Sequence, residues 1–166
     1  MQRRTITMLG LPTYLLSACS NAMSLTPKPS YGVVIRGEPA SGATPKLGVR
    51  AISNDGKHLF SFAELNKQAD NSSYEGIGIP EWVQITWRKD TAPGKYWTTG
   101  QIIGDYKVEV ASRIPADVSQ YASQSKGRAI RLIFRIRDDS VLLAWDVQEV
   151  SANGQGWSFS RHGGDF

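Results

Sequence analysis

The chain has one cysteine, two histidines and no run of 18 consecutive apolar residues among its 166 positions. A single cysteine excludes an internal disulfide framework and a multi-cysteine zinc site. The histidines, His58 and His162, stand alone, with no HExxH, no CxxC and no carboxylate–histidine cluster at ligand spacing, so no metal is expected. The lack of a long apolar run excludes an ordinary membrane-spanning helix. There is no GxSxG elbow for a serine hydrolase and no glycine loop leading to GKS or GKT for a phosphate. The His-x-Lys of a phospholipase D is missing too. His162-Gly163-Gly164 looks like part of an oxyanion loop but follows every strand it would need to follow, and it reads as a flexible tail. No enzyme and no cofactor are expected.

The length suits one domain, and 40% hydrophobic residues are enough for a core. The N-terminus carries an address. Arg3 and Arg4 precede an apolar-leaning stretch at 6–16, and Leu16-Ser17-Ala18-Cys19 follows. A charged start, a short apolar core and small residues before a cut site form a secretory signal. Leu-Ser-Ala-Cys resembles the lipobox of bacterial lipoproteins. The resemblance implies cleavage before Cys19, lipidation of its thiol and a lipid-anchored periplasmic protein. Ser20 in place of Asp favours the inner face of the outer membrane. The expected organisation is a signal peptide at 1–18, a lipidated Cys19 with a Pro-containing tether to 30, and a single β-rich binding domain at 31–166. Without Arg3 and Arg4, the formal charge of +4 falls to 17 basic against 15 acidic residues.

Within the domain, β-rich runs appear at 31–36, 47–53, 58–63, 82–87, 106–111, 129–137, 141–150 and 157–160. Asn54-Asp55-Gly56 signals a hairpin between the second and third. Residues 37–46 and 89–100 read as loops, and 64–78 as a loop or a poor helix. Pro115 opens the one credible helix, whose Val118, Tyr121 and Ala122 share a face, and Lys126-Gly127 closes it. The fold class is mainly β (α+β): an antiparallel β-sandwich or bent sheet of about seven or eight strands with one short helix.

The clearest alternation sets Ile130, Leu132, Phe134 and Ile136 against Arg131, Ile133, Arg135 and Arg137. Arg131, Arg135 and Arg137 could be a solvated outer face or a basic strip for an acidic partner. Nucleic acid is not expected, since no binding motif accompanies the charges. Asp138 and Asp139 read as turn formers. Trp145 shares its face with Val141, Leu143 and Val147, as a core residue does. Trp82 and Trp87 fall on opposite faces of one strand, one inside and one exposed, which makes Trp87 a candidate contact. Trp97, in a Gly/Pro-bounded loop, is another.

Several phrases together carry a second resemblance: Ile79-Pro80-Glu81-Trp82-Val83 with Trp87-Arg88, Arg113-Ile114-Pro115-Ala116-Asp117-Val118, and Asp138-Asp139-Ser140-Val141 with Trp145-Asp146. Over residues 79–146 the chain resembles small bacterial lipoproteins that accompany effectors of the type VI secretion system. Some of those are immunity proteins against effector phospholipases. The resemblance implies a periplasmic lipoprotein that binds a cognate toxin, a lipase or phospholipase, and neutralises it by stoichiometric occlusion. The alternative is an envelope glycan- or cell-wall-binding module, marked by exposed aromatics along a polar groove.

Overall fold

The computed structural model describes residues 31–66, 70–74 and 78–165. The expected signal peptide, Cys19 and the tether lie outside the described residues. The strands are β1 Gly32–Pro39, β2 Lys46–Ser53, β3 His58–Leu65, β4 Asp70–Tyr74, β5 Trp82–Lys89, β6 Gln101–Glu109, β7 Arg128–Ile136, β8 Val141–Val150 and β9 Trp157–Gly164. A 3-10 turn at Ala111–Arg113 and helix α1, Ala116–Ser123, connect β6 to β7. The protein is thus mainly β with one helix, as the alternation implies.

The strands form two sheets, ordered β4-β1-β7-β8-β9 and β3-β2-β5-β6. Their inner faces share one core. Val33 and Ile35 of β1, Ile130, Leu132, Phe134 and Ile136 of β7, and Leu143, Trp145 and Val147 of β8 come from the first sheet. Val49, Ala51, Leu59, Phe60, Val83, Ile85 and Trp87 come from the second. The period-two pattern of β7 therefore decides its orientation, because a one-residue slip would bury the arginines. Val118 and Ala122 of α1 are buried in the same core, with Tyr121 packed against it.

Four local expectations change. β1 pairs parallel with β7, while every other pairing is antiparallel. The chain leaves the first sheet after β1 and builds strands of the second before β7, which supplies the long crossover a parallel pair needs. Residues 70–74, expected as loop or poor helix, pair with β1 as an edge strand. Their polar sequence hides this, because the pairing is made by backbone groups. Helix α1 ends at Ser123 rather than near Gly127, and Pro115 sits at its N-cap. The expected flexible tail is the end of β9. Gly163 faces Trp145, and a Cβ there would overlap the indole. Asp165 then ties the chain down. Its N–H donates to Leu143 O at 2.8 Å, and its carboxylate accepts from Leu143 N–H at 3.0 Å and from Arg113. Burial raises the Asp165 pKa, but these donors outweigh it and the net shift is downward.

Asp138 does more than form a turn. It accepts from Thr44 N–H at 3.0 Å and Thr44 Oγ1 at 2.7 Å, and it pairs with the buried Lys46. The Lys46 ammonium, then the Thr44 hydroxyl and N–H, hold its carboxyl at about 2 against an ordinary 3.8. A depressed native pKa stabilises the fold above the unfolded pKa and is lost as pH falls through the native one. The stability difference between wild type and Asp138→Asn is therefore expected to be constant above about pH 4 and to shrink towards about pH 2. Urea unfolding across that window checks it, and an unchanged difference at pH 2 would contradict it.

Candidate functional site

The arginine strip is where the alternation places it, on the outer face of the first sheet, but its charges are largely spoken for. Arg131 faces Asp146 across the β7–β8 ladder, and Nε donates to Oδ1 at 3.0 Å while Nη2 reaches Oδ2. The side chains are only 17% and 10% exposed. Arg135 Nε donates to Glu38 at 2.8 Å, and Arg36 Nε donates to the other oxygen of the same carboxylate at 2.7 Å. Burial opposes ionisation of Glu38, but the hydrogen bonds from Arg135 and Arg36 prevail and its pKa is lowered. Arg137 lies beyond β7, exposed in the turn to β8, where its N–H donates to Ser140 O at 2.9 Å. So two of the three guanidiniums already hold carboxylates of this chain, and the strip is a charge ladder rather than a free positive row.

Trp87 is not a surface contact. It is 1% exposed, stacked on Tyr106 with ring centroids 5.0 Å apart, and faces Gly104, whose missing Cβ makes room for the indole. Trp82 is its outward counterpart, half-buried under the Lys107 ammonium at 5.0 Å. Val83, Ile85 and Trp87 share the inner parity of β5, which reverses the choice between the two tryptophans. Trp97 is 37% exposed, but its indole N–H donates to Val49 O at 3.2 Å, which seats the 90–100 loop on β2. A Cβ on Gly48 would overlap Tyr96 O, so that loop needs glycine there.

The largest exposed aromatics are on β9. Trp157 is 56% and Phe159 49% exposed, beside Val150 of β8. The Arg131 guanidinium lies 3.9 Å from the Phe159 ring centroid, so this patch continues into the Arg131–Asp146 pair. β9 is braced from below by α1. The Tyr121 ring is sandwiched between Arg128 at 3.8 Å and Arg161 at 4.1 Å. Arg161 pairs with Asp117 at 3.1 Å and Arg128 with Glu149 at 3.0 Å. The Arg128 hydrogen bond, more than any other contact, lowers the Glu149 pKa. Sequence reasoning took 157–160 as a strand but missed the patch. The available signal was Trp-Ser-Phe-Ser, large apolar residues alternating with serines where no core partner remained.

Two surface hollows are open to solvent. One of about 280 Å³ lies between the β2–β3 turn and Gly78–Glu81, where Asn54 Oδ1 accepts the Glu81 N–H at 3.0 Å. Another of about 390 Å³ lies beside Arg137 and Asp139. Among the described residues, no three His, Cys, Asp or Glu side chains cluster as metal ligands, and no helix is long and apolar enough to cross a membrane. No protein-family model, curated protein or solved structure matches this chain.

Proposed function

We propose that this protein is a lipid-anchored periplasmic binding protein that neutralises a cognate antibacterial effector, a lipase or phospholipase, by covering it stoichiometrically. The observation that carries this reading is the exposed Trp157–Phe159–Val150 patch on the outer face of the first sheet. Large exposed aromatics on a rigid sheet provide binding anchors at low entropic cost. The neighbouring ion pairs are satisfied within the chain, so the patch is a preformed surface. The Leu16–Cys19 lipobox supplies the address, and a sandwich of this size can offer the roughly 800 Å² per partner of a standard inhibitor interface.

The test is coexpression with a candidate phospholipase effector directed to the periplasm. The expected result is a one-to-one complex, protection of the cells, and loss of protection in Trp157→Ala/Phe159→Ala while the variant stays folded. Cells that lyse equally with and without the protein would refute the reading. Retention on peptidoglycan or envelope glycan, without an effector complex, would favour the wall-binding alternative.

A further inference from the structure

We propose that the open edge of β9, over residues 157–160, is a strand-addition site that accepts an extended, uncharged segment of the partner protein as a sixth strand of the first sheet. The inference rests on the reading that this chain binds a protein, and it names the docking element.

The phase of the backbone carries it. Ser151 N–H donates to Gly156 O at 3.2 Å and closes the β8–β9 hairpin. Antiparallel facing pairs alternate between hydrogen-bonded and open. With Val150 facing Trp157, Glu149 facing Ser158, Gln148 facing Phe159 and Val147 facing Ser160, the bonded pairs are Glu149/Ser158 and Val147/Ser160. The other flank of β8 gives the same phase. Arg137 N–H donates to Ser140 O, and counting along the β7–β8 register turns Gln148 towards β7. The N–H and C=O groups of Trp157 and Phe159 therefore point away from β8. Since β9 ends the strand order, they face the open edge. The same two residues carry the exposed aromatic rings, so the free main-chain groups and the side-chain anchors coincide.

The two edges of the second sheet carry charge, although Ile102 and Ile103 of β6 are exposed beside it. β6 displays exposed Asp105, Lys107 and Glu109, and β3 carries His58 and Glu64. Charged side chains of this kind discourage edge pairing. Residues 157–160, Trp-Ser-Phe-Ser, have neither charge nor proline. The run stops at Arg161, whose φ of 45° breaks the extended backbone. The charges nearby are compensated, Arg131 by Asp146 and Arg161 by Asp117, which favours an uncharged segment over an acidic one. A second copy fits poorly. The half-exposed Trp157, Phe159 and Val150 offer roughly 300 Å², against the 800 Å² or so per partner of a stable dimer. Strand addition needs less side-chain area, because main-chain hydrogen bonds supply affinity.

The test is amide hydrogen exchange on the purified full chain, with an acetylated and amidated heptapeptide of alternating threonine and valine as probe. At ten times its Kd the peptide is expected to slow exchange at Trp157 and Phe159 about elevenfold, with little change at Ser158 and Ser160. The same peptide N-methylated at alternate residues should have no effect, a control independent of any protein variant. Phe159→Pro, which removes an outward N–H along with the ring, should abolish the protection read at Trp157, whereas Phe159→Ala, which removes the ring alone, should weaken it. Unchanged exchange at 157 and 159, protection at β6 instead, or a concentration-dependent dimer through β9 would each overturn the inference. An effector that binds wild type and Phe159→Pro equally would overturn the edge site and leave the toxin-binding reading standing. Peptide docking at β9 without any effector complex would do the reverse.

Discussion

Trp87→Ala is expected to lower the unfolding free energy by roughly 3–5 kcal/mol, the usual range for emptying a large aromatic site in a core. The indole is 1% exposed and fills the space between β5, β6 and the opposite sheet. Two features prevent the site from collapsing. Tyr106 is stacked on one face at 5.0 Å, and Gly104 lies opposite with no side chain to move in. The vacancy therefore stays open, and the cost rises with the residual cavity. Gly104→Ala probes the same joint from the other side, since its Cβ would overlap the indole. Urea unfolding measures both, and a loss below about 1 kcal/mol for Trp87→Ala would show that the core repacks around it. If Trp87 instead formed a binding contact, affinity would fall in protein that remained fully stable.

The second large effect is at Arg131. As part of a free basic strip, Arg131→Glu would slow association with an acidic partner and leave the fold intact. Its bidentate pairing with Asp146 gives the opposite expectation. Reversal would set two carboxylates against each other, with Asp146 only 7% exposed, and would strip the cation from the Phe159 ring. Breaking a fully buried pair costs about 3–5 kcal/mol, and this half-buried one is expected to cost roughly 2–4 kcal/mol. The exchanged pair Arg131→Asp/Asp146→Arg should recover part of the loss. A single reversal within about 0.5 kcal/mol of wild type would mean that the pair contributes nothing to the fold. Arg137, exposed in the turn, is the one member of the strip whose charge can be reversed at little structural cost.

The two residues show how far sequence reasoning reaches. The alternation in β7 correctly turned Ile130, Leu132, Phe134 and Ile136 inward and Arg131 and Arg135 outward, because side-chain direction follows chain parity alone. In β5 the same signal was available, since Val83, Ile85 and Trp87 alternate with Gln84, Thr86 and Arg88, but weighing Trp82 against Trp87 alone passed over it. Parity could not find the counter-charges. Asp146 lies 15 positions from Arg131 and Glu38 lies 97 from Arg135. Only the register of β1, β7 and β8 brings them together. β4 and the end of β9 were illegible for a related reason. Their pairing is made by peptide groups, which every residue carries, and their side chains are polar or glycine.

A mainly β domain with one amphipathic helix, the inward residues of its strongest strands and the Asp-Gly hairpin were legible in the residues alone. These are local properties, set by periodicity, turn chemistry and short motifs. The packing and register of the two sheets set which arginines are already neutralised and which strand ends its sheet with aromatic rings and unpaired main-chain groups together. Those outcomes depend on what lies across the sheet, and a linear pattern holds no record of its neighbours in space.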